Sequence, residues 1–181
     1  DDELLCLPDC QTSHDPSIDD IFKLLQDVND LAAKLMIGSK GEGFFKLSCV
    51  DDGYFLNGNL ISKEDLYQTL KGWMRANSGG YLITEYLRPC RSLKKYWANT
   101  PNAIRVSVIR NKNRVPEITF AYIRFGTEST GSVDNASLGG IICKIDLDNG
   151  KFFDGKIIID HQLLDCNSHP DTKQLLEGDI P

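Results

Sequence analysis

Residues 31–50 read LAAKLMIGSKGEGFFKLSCV, and this stretch decides the fold prediction. Two apolar runs, at 31–37 and 44–50, flank a segment that contains three glycines. Apolar runs of this length bounded by glycine predict two strands joined by a tight turn. Glycines also let backbone N–H groups approach a phosphate, and Lys34 would add a positive charge beside them. The same residues suit an ordinary hairpin with an exposed edge lysine, and taken alone they favour that simpler interpretation.

Helices are predicted on both sides of this hairpin. Ser17 can cap a helix with Asp20 three residues later, and apolar residues follow at helical spacing until about Asn29. Ser62 and Asp65 repeat the capping pattern ahead of a second helix. Each helix therefore has one apolar side that can cover a sheet.

The second half of the chain is rich in β-branched and aromatic residues. At least five strands are predicted, at 81–87, 104–109, 115–125, 140–147 and 152–159. Turn sequences at 111–114 and 148–150 favour hairpins, and hence antiparallel sheets. The tail from Asp165 to Pro181 is polar and is expected to be irregular, with His169 in a loop or at the surface.

These elements together predict an α+β fold with two small lobes, largely antiparallel sheets and flanking helices. We expect an irregular leader at residues 1–16, followed by one domain at 17–181. Within that domain, the Gly-loop lobe covers about residues 31–90 and the β-rich lobe about residues 100–181.

Composition and charge narrow the classes of partner. The 181 residues are 41% hydrophobic and 25% charged, and no apolar run reaches the roughly 18 residues that a membrane span needs. A formal charge of −6 argues against duplex nucleic acid or an anionic membrane as the main partner, because such binding depends on clustered Lys and Arg. We therefore expect a cytoplasmic globular domain with no nucleic acid and no membrane span.

The cysteines are interpreted as reduced thiols, because a domain of this size can bury a core without disulfides. They are Cys6, Cys10, Cys49, Cys90, Cys143 and Cys166. The spacing of Cys6, Cys10 and His14 would also suit half of a zinc site, but no second compact pair completes it. The metal ligands therefore stay unknown.

Two segments place polar residues among predicted strands. Glu85, Tyr86 and Leu87 end an apolar run, where backbone groups could meet a ligand, although an exposed carboxylate at a strand end is the simpler interpretation. Arg105 and Arg124 sit among apolar residues, where an unpaired guanidinium is costly, so each is expected to have an anionic partner. That partner could be Asp134 for one of them, or a polyphosphate with its metal, because Asp134-Asn135 and Gly139-Gly140 follow closely.

In this order, the segments resemble the sugar-transfer-associated family of the ATP-grasp superfamily. The similarity runs from residue 31 to residue 181. It passes through RFG at 124–126, the Asp134-Asn135 step, the glycine pair and HPDT at 169–172, and it ends with GDIP at 178–181. Ala103 stands where the family has a threonine.

The resemblance implies the ATP-binding core of a carboxylate–amine ligase. Such enzymes use ATP and Mg²⁺ to form an acyl phosphate that an amine attacks, here on a small-molecule or sugar-linked substrate in polysaccharide or cell-surface sugar biosynthesis. Arg105 and Arg124 would be the catalytic cations. The nucleotide contacts would come from Lys34, Gly38, Ser39, Lys40, Gly41, Gly43, Glu85, Tyr86, Leu87, Asp134 and Asn135.

Family members hold Mg²⁺ with residues that follow the Gly-x-Ile-Pro stretch, so residues 1–181 by themselves are expected to be inactive. Two alternatives stay open. One is a nucleotide-binding or interaction module without catalysis. The other is a β-rich carbohydrate-binding scaffold, whose stacking rings would be Tyr54, Trp73, Tyr81 and Trp97.

Overall fold

The computed structural model describes residues 17–37, 43–51, 53–76 and 80–180, with 74–76 described as helix backbone. These residues form two five-stranded antiparallel sheets with a few helices packed against them. The predicted α+β class is therefore confirmed.

Sheet A is built from the first half of the chain. Its strand order is β4-β3-β2-β1-β5, and every neighbouring pair is antiparallel. The elements in chain order are α1 (Ile18–Val28), β1 (Asp30–Leu35), β2 (Phe45–Val50), β3 (Gly53–Leu56), β4 (Asn59–Ile61), α2 (Lys63–Ala76) and β5 (Tyr81–Glu85).

Helix α1 begins where its capping sequence predicts. The Ser17 hydroxyl accepts from the Asp20 N–H at 3.2 Å, and the Asp20 carboxylate accepts from the Ser17 N–H at 2.9 Å. This reciprocal pair satisfies two backbone donors of the first turn. Asn29, with φ of +66°, then turns the chain directly into β1.

The two helices cover one side of sheet A. Leu25 of α1 and Leu66 of α2 pack with Leu31 and Leu47 in one buried cluster. Because side chains alternate along a strand, Leu31 and its neighbours two residues away face the helices, whereas the intervening residues of β1 face away. We call this second side the open face of sheet A.

Sheet B is built from the second half of the chain. Its strand order is β10-β9-β8-β7-β6, again antiparallel throughout. The elements are α3 (Arg91–Lys94), β6 (Ile104–Arg110), β7 (Pro116–Phe125), β8 (Ile141–Ile145), β9 (Phe152–Ile159) and β10 (Gln162–Asp165). Its core cluster combines α3 and the following turn with one side of the sheet, chiefly through Leu93, Tyr96, Phe125 and Phe152.

The tail after β10 is irregular, as expected, but two of its residues are part of this core. Cys166 and Leu176 are buried in the core cluster of sheet B. Backbone hydrogen bonds connect Phe152 with Gly178 and Asp179 at 2.8 and 2.9 Å, so the end of the tail pairs with the start of β9.

His169 was expected in a loop or at the surface; it lies in a loop but is fully buried. Its Nδ1 accepts from the backbone N–H groups of Asp171 and Thr172, so its Nε2–H donates to the Gly126 carbonyl at 2.8 Å. The ring also stacks on Trp97 at 5.4 Å. Burial lowers the pKa of His169, which disfavours the charged imidazolium in the native state.

Candidate functional site

Asp30 is a buried charge on the open face of sheet A, with its side chain only 9% exposed. Its Oδ1 accepts from Ser48 Oγ at 2.6 Å and lies 3.4 Å from Lys46 Nζ, while its Oδ2 pairs with Arg88. These contacts satisfy a carboxylate that would otherwise be costly to bury. The Asp30 cluster, as we call these four residues, thus connects β1, β2 and the segment after β5.

Lys34 lies on the same open face and is exposed. Lys34 is two residues beyond Ala32 on β1, and Ala32 pairs with Lys46 on β2. Both ammonium groups therefore project from one side of adjacent strands. The two lysines make this part of the open face of sheet A cationic, which suits binding of an anionic ligand.

Tyr86 joins the two sheets. Its hydroxyl donates to the Asn99 carbonyl at 2.6 Å and lies 3.1 Å from the Ser132 carbonyl. Lys46 Nζ lies 4.6 Å from the centre of the tyrosine ring. Burial, and then the negative charge of Asp30, raise the pKa of Tyr86 to about 12. The hydroxyl is thus a permanent donor that ties the end of β5 to the second half of the chain.

Glu85 and Leu87 lie on either side of Tyr86 at the edge of sheet A. The Tyr86 N–H donates to the Asp30 carbonyl at 3.1 Å, so the backbone groups of Tyr86 face β1. Because these directions alternate along an antiparallel strand, those of Glu85 and Leu87 face outward. Both side chains are exposed. The segment therefore offers free backbone donors and acceptors at the lobe junction.

Gly43 closes the Gly-rich segment where it re-enters the sheet. Its φ is +67°, and a Cβ there would lie 2.5 Å from a Leu35 side-chain carbon. Both facts favour glycine. Gly38, Ser39, Lys40 and Gly41 lie outside the described residues, so their contacts stay predictions.

Arg124 and Asp134 form the main polar contact of the predicted site in sheet B. Arg124 Nη2 lies 3.0 Å from Asp134 Oδ1, and Asp134 Oδ2 accepts from the Ala103 N–H at 2.8 Å. Arg124 Nε is buried and has no hydrogen-bond partner among the described residues. A guanidinium with a spare buried donor suits an anionic ligand, because an unpaired buried N–H is costly.

The Asp134-Asn135 step is held by its own turn. Asn135 Oδ1 accepts from the Ser137 N–H, and the Asn135 carbonyl accepts from the Gly140 N–H, both at 3.0 Å. A Cβ at Gly140 would lie 2.9 Å from the Asn135 carbonyl carbon. The glycine thus lets the turn close and position Asp134, a structural role beside the predicted ligand role.

Arg105 lies on the same side of sheet B as Arg124. It pairs with Tyr122 on β7, and Tyr122 and Arg124 are two residues apart on that strand. We call this side, opposite the core of sheet B, the open face of sheet B. Arg105 is exposed and forms no ion pair with the carboxylates of the described chain, so the anionic partner expected for it is not found there. Water solvates the exposed guanidinium of Arg105, so it needs no anionic partner from the protein.

Two surface pockets lie beside sheet B, and the first is on its open face because Tyr122 lines it. A pocket of about 540 Å³ is lined by Phe120, Tyr122 and Lys144, among others, and one of about 790 Å³ by Glu128, Ser137 and His161, among others. Neither of these two pockets contains Lys34, Arg105 or Arg124, so the predicted site is described as two open faces joined at Tyr86.

The aromatic residues of the carbohydrate-scaffold alternative are engaged within the fold. Tyr54 is 8% exposed and packs edge-on against Phe22. The Trp73 ring stacks on Phe45 and Tyr81, and the Trp97 ring stacks on His169. These rings accordingly lend that alternative no support.

Comparison with known proteins assigns the family. The family model for sugar-transfer associated ATP-grasp matches residues 3–181, nearly the whole chain. The chain belongs to this family. No curated protein and no solved structure matches it. None of the described helices is long and apolar enough to cross a membrane.

Membership in the ATP-grasp family implies an ATP-dependent, ligase-type core, and the family generally binds ATP with Mg²⁺. The cations on the two open faces and the spare Arg124 Nε fit a polyphosphate. The described residues do not bring together three His, Cys, Asp or Glu side chains that could hold a metal ion. Cys6, Cys10 and His14 lie outside those residues. We therefore assign no Mg²⁺ ligand.

Proposed function

We propose that this ATP-grasp chain is the nucleotide-binding core of a carboxylate–amine ligase, with ATP between the two open faces. The family match, which covers nearly the whole chain, carries the proposal. The placement of cations on two faces that meet at Tyr86 supports it, because a polyphosphate between lobes needs positive charge on both sides.

The adenine would lie against the edge of β5. There Glu85 and Leu87 offer outward backbone groups, and an adenine edge needs one acceptor and one donor side by side. Tyr86 would hold that edge in place through its contacts with Asn99 and Ser132. The Asp30 cluster supports the same position from β1.

The phosphates would lie between Lys34 and the Gly-rich segment on one side and Arg105 and Arg124 on the other. A carboxylate oxygen of the donor would attack the γ-phosphorus, releasing ADP and forming an acyl phosphate. The amine would then attack the acyl carbon and release phosphate. The cations stabilise charge on the transferred group, with Mg²⁺ sharing this role, and no protein nucleophile is required.

We also propose a small-molecule or sugar-linked substrate in polysaccharide biosynthesis, which rests on the description of the family. The cytoplasm is the compartment that we propose, because it supplies ATP. Asp134 and Asn135 would lie next to the phosphates, with Asp134 orienting Arg124.

Calorimetric titration with ATP, with and without Mg²⁺, tests the proposal. Lys34→Ala and Arg105→Ala should each weaken binding at least about tenfold, because charge-assisted hydrogen bonds contribute about 1.5–3 kcal/mol. Lys23→Ala, an exposed lysine of α1, is the matched control and should change nothing. Unaltered affinity in both variants would reject the proposed site.

A further inference from the structure

The β6–β7 hairpin extends beyond the rest of sheet B. Strand β8 pairs with β7 only from Ala121 to Phe125, so residues 107–120, with Val106 at their base, form a two-stranded extension. We call these residues the arm. Its register shifts between Ser107 and Val108, and its turn is closed by the Asn111 N–H donating to the Val115 carbonyl at 2.9 Å.

The arm carries exposed aliphatic and aromatic side chains on both of its faces. Val108 and Ile118 pair across one face, and Ile109 and Phe120 project from the other. Six such residues are each between 46% and 56% exposed: Val106, Val108, Ile109, Val115, Ile118 and Phe120. A concentration of this kind on a narrow extension marks an interaction surface.

The charge of the arm is opposite to that of the rest of the chain. Arg110, Lys112 and Arg114 lie at its tip against a single acid, Glu117, whose carboxylate accepts from Asn111 Nδ2. The arm is therefore net +2, while the remaining residues total −8. The overall charge of −6 argues against an anionic membrane as a partner of the chain as a whole. It does not apply to the arm, whose local charge is positive.

We propose that the arm docks on an anionic lipid surface. The boundary between lipid headgroups and acyl chains can surround the arm and contact the aliphatic groups on both of its faces. A protein partner would cover only one face of the arm. The tip cations would reach lipid phosphates while their stems stay among apolar groups. A second copy fits less well, because pairing one basic arm with another brings like charges together.

Flotation of the full chain with lipid vesicles tests this proposal. We expect binding to vesicles of equal parts phosphatidylcholine and phosphatidylglycerol, little binding to pure phosphatidylcholine, and loss of binding at high salt. Lys112→Glu with Arg114→Glu should weaken binding by about tenfold or more, because each basic residue near the surface contributes about 1 kcal/mol.

Two further variants keep the outcome interpretable. Lys23→Glu with Lys151→Glu changes the net charge equally at exposed positions away from the arm and should bind like the wild type. Val108→Ser with Ile118→Ser should lose binding while the tip charges remain. The proposal is overturned if the wild type does not float with the anionic vesicles, which would leave an acidic protein as the occupant to examine. Equal weakening by the tip and control variants would also overturn it.

Discussion

Replacing Asp30 by Asn removes one buried charge while keeping the shape of the side chain. The amide oxygen can still accept from Ser48, but Lys46 and Arg88 lose their anionic partner. We expect a lower free energy of unfolding and a less firmly held junction at Tyr86, whose ring lies beneath Lys46.

The size of the effect follows from how exposed the two cations are. Arg88 is 67% exposed, so water can replace its partner and its share should stay below about 1 kcal/mol. Lys46 is 25% exposed, and leaving such a group unpaired costs roughly 1–3 kcal/mol. We expect a total of about 2 kcal/mol, less than the roughly 3–5 kcal/mol found for fully buried pairs.

Urea unfolding followed by tryptophan fluorescence measures this difference, and Asp27→Asn on the exposed side of α1 is the matched control. The control should stay within about 0.5 kcal/mol of the wild type. Equal stability of the two variants would refute the assigned role of Asp30. A cost for Arg88→Ala as large as that for Asp30→Asn would refute the division between the two cations.

Three further predictions concern His169, two glycines and Tyr86. Burial lowers the pKa of His169, so the unfolded state binds more protons below its own pKa of about 6.5, and stability should fall as pH drops through and below that value. His169→Gln should flatten this pH dependence in urea titrations, while His161→Gln, at an exposed position, should leave it unchanged. Gly126→Ala would place a Cβ 2.6 Å from Thr100 and 2.8 Å from Trp97, so we expect a loss of about 1–3 kcal/mol on thermal unfolding. Gly72→Ala in α2 has open space and should instead stabilise by roughly 0.5–1 kcal/mol; a loss at Gly72 or none at Gly126 would contradict these contacts. Tyr86→Phe removes the hydroxyl that reaches Asn99, and a loss of about 1 kcal/mol in urea is expected, whereas an unchanged midpoint would mean that this contact does not hold the sheets together.

Local patterns predicted the elements whose causes are local. Ser17 and Asp20 lie within one helical turn, so their cap is visible in the sequence and present in α1. The turns near Asn111 and Asn149 likewise join antiparallel strands in sheet B. Alternation and turn composition are thus sufficient for the two-sheet α+β class.

The parts that were missed depend on distant contacts. Asp30 is 18 residues from Ser48 and 58 from Arg88, so its sequence position suggests only a residue after a helix end. The burial of His169 is not visible in the sequence, because the carbonyl that it binds belongs to Gly126, 43 residues earlier. Strand β10 is four residues long and exposed, with no pattern to distinguish it from a loop.

The sequence indicates which polar residues belong to the candidate site better than it indicates what each of them contacts. The sequence places Asp134 as a possible partner of Arg105 or Arg124, and the contact with Arg124 is present at 3.0 Å. For Arg105 the expected anionic partner does not appear in the described chain. Its apolar neighbours suggest burial, but β6 is an edge strand and leaves the side chain exposed. The ligand roles of both arginines stay predictions.

Hydrogen exchange with and without ATP tests most directly whether nucleotide lies between the two open faces. We predict slower exchange at the outward backbone amide of Leu87 and in peptides covering Ile104–Arg110, with no change in α1, which lies on the opposite side of sheet A. ATP binding that leaves both regions unprotected, or that protects the pocket near Glu128 and His161 instead, would contradict the proposed site.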